Sequence, residues 1–170
     1  MLNKINKLTL SEFIEVFGNI FENASWISKR LYKEKPFNNF EDLSNKILSI
    51  FENSNYKDKL KILTSHPDLA NKTKIGLLTN DSNEEQSNAG LDECSKKEFN
   101  EFNKLNREYK AKFNFPFILA VAGKNKIEIL KNFNKRIFNN ENKEFIEANN
   151  QVIKIAITRL KKIQNNNKFD

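Results

Sequence analysis

The sequence has 170 residues, of which 38% are hydrophobic, 11% aromatic and 30% charged, with only four glycines and three prolines. This composition suffices for one buried core and excludes collagen-like, proline-rich and Gly/Ser-linker chains. No apolar run approaches the roughly 20 residues of a membrane span, and the N-terminus has no secretory signal, so we expect a cytoplasmic protein without a membrane partner. A single histidine and a single cysteine, Cys94, predict no structural disulfide and no metal site.

The formal net charge is +7, from 29 Lys and Arg against 22 Asp and Glu. Basic residues are scattered among acidic ones and are mostly lysines, whereas recognition of bases and phosphates usually depends on arginine. The four arginines are Arg30, Arg107, Arg136 and Arg159. We interpret the positive charge as a solvated lysine surface, with attraction of an anionic substrate as the second reading, and expect no nucleic-acid partner.

The apolar spacing is helical along almost the whole chain, and no segment alternates as a half-buried strand would. Capping patterns mark helix starts at Thr9 with Glu12, at Asn39 with Asp42 and at Ser95 with Glu98. The predicted helices cover residues 10–21, 25–32, 40–51, 56–65, 96–113, 126–139 and 141–163. The prediction is an all-α, single-domain bundle of about seven to nine helices over residues 1–164, with a flexible tail at 165–170. Residues 66–87 and 114–123 do not fit the helical pattern and are candidate walls of a site.

His66 lies where a helix must stop, because Pro67 has no amide hydrogen and disfavours the α conformation at the residue before it. A histidine at a helix C-terminus feels the negative end of the helix dipole, which favours the imidazolium form and suits a proton donor. The alternative is a capping histidine that binds the last carbonyls of the helix.

A polar segment later in the chain has a serine followed three residues later by a glutamate. It consists of Ser82, Asn83, Glu84, Glu85 and Gln86. That spacing predicts a capping box opening a helix at Ser82. The functional alternative is that the free amides of this helix N-terminus, with Glu85 and Gln86 beside them, bind an anionic or carbonyl-bearing ligand.

Arg159 falls on the apolar stripe of the last predicted helix, so its guanidinium needs a partner in the core. It is either a structural ion pair or snorkelling arginine, or a clamp for an anion or an amide carbonyl. The short apolar run after Pro116 also has two readings, because its extended backbone would leave amides and carbonyls to be satisfied. Those groups hydrogen-bond either a flat heterocycle or neighbouring side chains. Cys94 has no adjacent histidine to support a reactive thiolate.

Six segments in order resemble one family, the 2-oxo-4-hydroxy-4-carboxy-5-ureidoimidazoline (OHCU) decarboxylases of urate degradation. They are LTLSEFIEVFG with FENASW near the start, KPF at 35–37, SHPDLA at 65–70, the Ser-x-x-Glu-Gln segment leading to AGLD, LNREYKAKFNFPFI at 105–118 and ITRLKKI at 157–163. The family usually has glycine where Asn114 stands and often alanine where Ser65 stands. Asparagine tolerates left-handed backbone, so the turn at Asn114 is expected to survive the difference.

The resemblance implies an all-helical, cofactor-independent enzyme, often found as a dimer, that converts OHCU to (S)-allantoin with loss of carbon dioxide. It implies that His66 and Glu85 are catalytic, with His66 as the proton donor. The residues that match the family's substrate-binding positions are Pro67, Ser82, Asn83, Glu84, Glu85, Gln86, Phe117, Ile118, Leu119, Ala120, Val121 and Arg159. The alternatives are a non-catalytic helical binding module associated with nucleic acid, and a same-scaffold enzyme acting on another ureido acid.

Overall fold

The computed structural model describes residues 2–70 and 79–166. Within these residues every regular element is helical, which confirms the all-α prediction. The helices are α1 (Leu2–Lys7), α2 (Leu10–Phe17), α3 (Ser25–Tyr32), α4 (Phe40–Glu52), α5 (Tyr56–Ser65), α6 (Asn80–Asn88), α7 (Lys96–Phe113), α8 (Lys126–Arg136) and α9 (Glu141–Asn165), with one 3₁₀ turn at Leu91–Glu93. None of these helices combines the length and apolar character needed to cross a membrane.

Most predicted helix starts are confirmed by their caps. Thr9 and Ser95 form complete capping boxes with Glu12 and Glu98, and Asn39 accepts a hydrogen bond from the Asp42 amide. The hydrogen bonds from Thr9 and Ser95 lower the pKa of Glu12 and of Glu98 respectively, since they favour the charged carboxylates.

Three helices differ from the prediction: α2 and α8 end early, α8 at Arg136 rather than near residue 139, and α1 is absent from the predicted set. Helix α2 ends at Phe17 rather than near residue 21, and Gly18 caps it by donating to the Ile14 carbonyl at 2.7 Å. Ile20 and Phe21 are nevertheless buried, so the apolar repeat continues through a turn that packs into the core. Helix α1 is not predicted because it buries only Ile5 and therefore shows no periodicity.

The chain forms two compact units, Met1–Ile62 with Ile153–Asp170, and Leu63–Val152. The first unit has a phenylalanine core. The ring centroids of Phe13 and Phe17 lie 4.6 Å apart, and Phe21 stacks on Phe51 with a centroid distance of 4.8 Å. The single domain over residues 1–164 and the tail over 165–170 stay predictions, and residues 167–170 lie outside the described residues.

In the second unit the core is built around Tyr109 of α7, which is fully buried. Its ring packs edge-on against Phe115, Phe117 and Phe133. Phe117 also stacks on Phe133 with ring centroids 3.9 Å apart. The connector that follows Pro116 therefore runs through this core with its aromatic side chain held between helices.

Candidate active site

His66 occupies the corner predicted for it. Helix α5 ends at Ser65, and the His66 amide donates to the Leu63 carbonyl at 3.3 Å. The histidine is buried, with 9% of its surface exposed, and Pro67 beside it is half-buried. The structure thus confirms that His66 sits at a helix C-terminus.

Three side chains hold the loop that follows His66. Lys110 Nζ lies 2.8 Å from Asp68 Oδ2, and Asn106 Nδ2 donates to the Leu69 carbonyl at 2.9 Å. The Ala70 amide donates to Gln86 Oε1 at 3.0 Å. Two other helices, α7 and α6, therefore fix the backbone next to the histidine, which limits the positions that its ring can take.

The predicted capping box at Ser82 is wrong. Helix α6 begins at Asn80, and its N-cap is Thr79, whose hydroxyl accepts from the Ser82 amide. Thr79 is itself a good capping residue with extended backbone, so the helix starts three residues earlier than predicted. The Ser82 amide is consequently bonded to the Thr79 hydroxyl, and Glu85 lies in the helix interior rather than at its N-terminus.

The polar segment of α6 divides between two faces of the helix. Ser82, Glu85 and Gln86 have the spacing of one helical face, on which Ser82 and Gln86 are buried and Glu85 is half-buried. Because Gln86 bonds to Ala70, this face borders the histidine loop. Glu84 is exposed and Asn83 half-buried, so Ser82, Glu85 and Gln86 are the better-placed members of the predicted set.

The connector at Phe117, Ile118, Leu119, Ala120 and Val121 is almost entirely buried, with Ala120 half-buried. The Ile118 carbonyl accepts from Arg136 Nη1 at 2.7 Å, and the Ala120 amide donates to Gln151 Oε1 at 3.0 Å. The Val121 carbonyl accepts from the Lys124 amide at 2.9 Å. Side chains and a turn thus form hydrogen bonds with part of this backbone, as one of the two interpretations of the sequence predicts. Contacts between this backbone and a substrate stay a prediction.

A buried polar cluster behind the connector is not among the predicted site residues. Glu144 Oε1 accepts from Tyr109 Oη and from Arg136 Nε and Nη2, and Glu144 Oε2 accepts from Asn139 Nδ2 at 2.6 Å. Burial and the hydrogen bond to Glu144 raise the pKa of Tyr109 far above its ordinary value, so the phenol stays protonated. The signal that singled out Arg159, a charge on an apolar helical stripe, also applies to Glu144 and Arg136.

Arg159 forms a structural ion pair, which is one of the two interpretations that the sequence allows for this residue. Its Nη1 atom lies 3.1 Å from Glu22 Oε2 and 2.7 Å from the Asn19 carbonyl oxygen, and both charged side chains are buried. These contacts lie within the first unit, to which Arg159 belongs. Its role toward a substrate stays a prediction.

The remaining predictions concern Asn114, Cys94 and metals. Asn114 caps α7 in the left-handed conformation with φ 61°, so the turn tolerates asparagine as expected. Cys94 is buried and forms no disulfide. No group of three or more His, Cys, Asp or Glu side chains suited to a metal ion occurs within residues 2–70 and 79–166.

The fold and the candidate site define an all-helical protein with a buried histidine at a helix end, braced by two neighbouring helices. The chain belongs to the OHCU decarboxylase family, since the model of that family, described as OHCU decarboxylase, matches residues 6–161. A 2-oxo-4-hydroxy-4-carboxy-5-ureidoimidazoline decarboxylase from Halalkalicoccus jeotgali is 33% identical, with 94% of this chain and 89% of that protein covered. One from Xenopus laevis is 34% identical, with 94% and 91% covered.

Two other similar proteins are longer than this chain. A uric acid degradation bifunctional protein from Bacillus sp. (strain TB-90) is 41% identical over 95% of this chain, which spans only 32% of that protein. Among solved structures, an (S)-allantoin synthase matches with a TM-score of 0.75 and 26% identity, covering 96% of this chain and 54% of that one. An OHCU decarboxylase crystallised in the presence of (S)-allantoin matches in fold with a TM-score of 0.71 and 24% identity, covering 91% and 98%.

Proposed function

We propose that the protein is a carboxy-lyase that decarboxylates OHCU to (S)-allantoin in urate degradation. The observation that carries this proposal is membership of the OHCU decarboxylase family over residues 6–161, which includes the histidine corner and α6. The net charge of +7 agrees with a substrate that carries a carboxylate, because a positive surface raises the local concentration of anions.

The reaction breaks the bond between a ring carbon and the carboxylate. Carbon dioxide leaves, and the electron pair passes through the neighbouring ring carbon to its C=N nitrogen. The neighbouring carbon then takes up one proton, and the hydroxyl becomes a carbonyl as its own proton is transferred to the ring nitrogen. Because the ring itself delocalises the charge, no cofactor is required. Hydrogen-bond donors placed where the charge develops lower the barrier.

In this proposal His66 and Glu85 engage the reacting hydroxyl and carboxylate, and His66 is the proton donor. His66 is buried at its helix end, and the face of α6 that carries Glu85 borders the loop that follows it. Delivery of the proton from one face yields a single enantiomer. Protonation by bulk water has no preferred face and yields a racemate.

Substrate binding is assigned to the remaining predicted residues. The α6 segment from Ser82 to Gln86 orients the ring and the ureido group, Pro67 is a further binding residue, and the backbone from 117 to 121 supplies hydrogen bonds to the ring. Arg159 is proposed to bind the substrate in addition to its ion pair with Glu22. Asn83 and Glu84 are given a minor share, since Glu84 is exposed on another face of the helix.

We also propose that the protein is cytoplasmic, forms a homodimer, and has no nucleic-acid or membrane partner. These proposals rest on the composition and on the family resemblance. Three strongly exposed apolar side chains of the second unit, Ile127, Phe138 and Ile146, offer apolar surface for a second copy to cover. Light scattering coupled to gel filtration tests the dimer, and a monomer at micromolar concentration would contradict it.

The function is tested by circular dichroism after urate oxidase and 5-hydroxyisourate hydrolase generate OHCU in the cuvette. With the protein present, we expect the rapid appearance of the optical signal of (S)-allantoin. His66→Asn and Glu85→Gln should each lower the rate by at least about a hundredfold. Glu101→Gln, a matched change at an exposed position of α7, should leave the rate unchanged.

A trace that matches uncatalysed decay, obtained with a folded protein, would refute the decarboxylase assignment. Salt-sensitive binding to a nonspecific DNA duplex would then favour the nucleic-acid-binding alternative. Turnover of another ureido acid would favour the same-scaffold alternative. His66→Asn with near-normal turnover would leave the reaction in place and remove the histidine from the proton-donor role.

A further inference from the structure

The connector after Pro116 is held from one helix pair at two successive peptide groups. Arg136 of α8 binds the Ile118 carbonyl, and Gln151 of α9 binds the Ala120 amide. Both holding side chains are buried, with 5% of each exposed. Neither residue is among the predicted site residues or has a role in the proposed chemistry, so their contacts with the connector need a separate explanation.

These two hydrogen bonds determine where the groups of Leu119 point. The peptide bonds on either side of Leu119 are trans, and in a planar trans peptide the carbonyl and the amide hydrogen point in opposite directions. The Ile118 carbonyl points at Arg136, so the Leu119 amide points away from Arg136. The Ala120 amide points at Gln151, so the Leu119 carbonyl points away from Gln151.

Leu119 thereby offers a donor and an acceptor from a single buried residue. Neither group has a hydrogen-bond partner among residues 2–70 and 79–166. Buried backbone groups are nearly always paired, so this donor and acceptor are suited to an incoming ligand. A cyclic ureide carries adjacent N–H and C=O groups on its ring edge, which are complementary to such a pair.

We propose that Arg136 and Gln151 are positioning residues that aim the Leu119 amide and carbonyl at the ureide ring of the substrate. This inference rests on the proposed function, since it names the residues that shape the ring-binding backbone. Arg136 and Gln151 act through the backbone and do not touch the substrate themselves.

Both positioning side chains are themselves immobilised. The Arg136 guanidinium binds Glu144 through Nε and Nη2, which leaves Nη1 for the Ile118 carbonyl, and it lies 4.6 Å over the Phe117 ring. Gln151 Nε2 donates to Glu147 at 2.7 Å, which orients Oε1 toward the Ala120 amide. The buried Arg136–Glu144 ion pair therefore helps to hold the connector in position.

The test compares Gln151→Met with Asn149→Leu. Asn149 is a matched control because it is a buried amide on the same helix, and its Nδ2 atom donates only to the Phe145 carbonyl of α9 among the described residues. For Gln151→Met we expect the KM for OHCU and the Kd for added (S)-allantoin to rise together by about three- to tenfold, with kcat within about twofold of wild type. Asn149→Leu should leave all three constants unchanged, whatever it does to the melting temperature.

Arg136→Lys provides a second, independent variant. Lysine keeps the positive charge beside Glu144 but lacks the fork that serves Glu144 and Ile118 together, so KM and the (S)-allantoin Kd should again rise. A folded, active wild type with unchanged KM and Kd in both variants would overturn the positioning role while leaving the proposed function intact. An inactive wild type would overturn both.

Discussion

Gln86 Oε1 accepts a hydrogen bond from the Ala70 amide at 3.0 Å, and this bond ties α6 to the loop that begins at His66. Glu85 precedes Gln86 on α6, so the bond sets the spacing between the segments that carry the two proposed catalytic residues. Asn106 and Lys110 of α7 hold the same loop from another helix. The histidine corner is therefore fixed by contacts among residues far apart in sequence.

Gln86→Met tests this tie. The substitution leaves the buried Ala70 amide without its acceptor, so we expect the free energy of unfolding to fall by about 1–3 kcal/mol. Urea denaturation measures the change. Asn88→Met, at an exposed position of the same helix, should change the stability by less than about 0.5 kcal/mol. Equal stability of the two variants would show that the tie contributes nothing.

Lys110→Met removes the partner of Asp68. The lysine is 42% exposed and Asp68 only 9%, so solvent screens part of the attraction and we expect a loss of about 0.5–1 kcal/mol that shrinks as salt is added. Lys104→Met on the same helix removes a looser pair, 3.7 Å from Glu108 with both side chains well exposed. That control should have almost no effect in urea denaturation, and a larger loss there than at Lys110 would contradict the prediction.

Substitutions in the Arg159–Glu22 ion pair test whether Arg159 is purely structural or also binds the substrate. Arg159→Met leaves a buried carboxylate without this partner and should cost about 3–5 kcal/mol, whereas Arg159→Met with Glu22→Met removes both charges and should recover much of the loss. We expect the double variant to fold but to lack OHCU turnover. Turnover of OHCU by the double variant would show that Arg159 has only a structural role, through its ion pair with Glu22.

Tyr109 predicts a loss of stability at alkaline pH. Burial and the hydrogen bond to Glu144 raise the pKa of the folded-state phenol above the unfolded value of about 10. Below pH 10 both states hold the proton and the stabilisation is fully present. As the pH rises above 10 the unfolded chain loses this proton first, so unfolding becomes easier.

The check is urea denaturation between pH 7 and 11 of wild type and Tyr109→Phe. The wild type should be more stable at pH 7, and its advantage over the variant should shrink above pH 10. The ultraviolet absorbance change of ionising Tyr109 should coincide with unfolding and be missing from the variant. A constant difference between the two proteins across this range would refute the assigned pKa direction.

Thr79→Ala tests the position of the α6 N-terminus. Loss of the N-cap should lower the free energy of unfolding by about 1 kcal/mol, and Thr79→Ser, which keeps the hydroxyl, should retain the stability. If α6 instead began at Ser82, Thr79→Ala and Thr79→Ser would behave alike.

The sequence by itself determined the helical class and most of the helix starts. Thr9, Asn39, Ser95 and Pro67 act on backbone groups within a few residues of themselves, so their effect is legible without the rest of the fold. The position of His66 at a helix end belongs to the same kind of local information. Thr79 shows the limit of this reasoning, since two capping residues compete and only the folded chain decides which one opens the helix.

Tertiary structure decided everything that depends on residues distant in sequence. Glu144 and Arg136 each appear as a single charge on an apolar stripe, and their pairing with Tyr109 and with the Ile118 carbonyl emerges only when α7, α8, α9 and the connector pack together. Gln86 likewise looks like a polar helix residue until Ala70 is placed beside it. Long-range hydrogen bonds have no sequence period, because their geometry is set by the packing of helices and not by the spacing of residues along one of them.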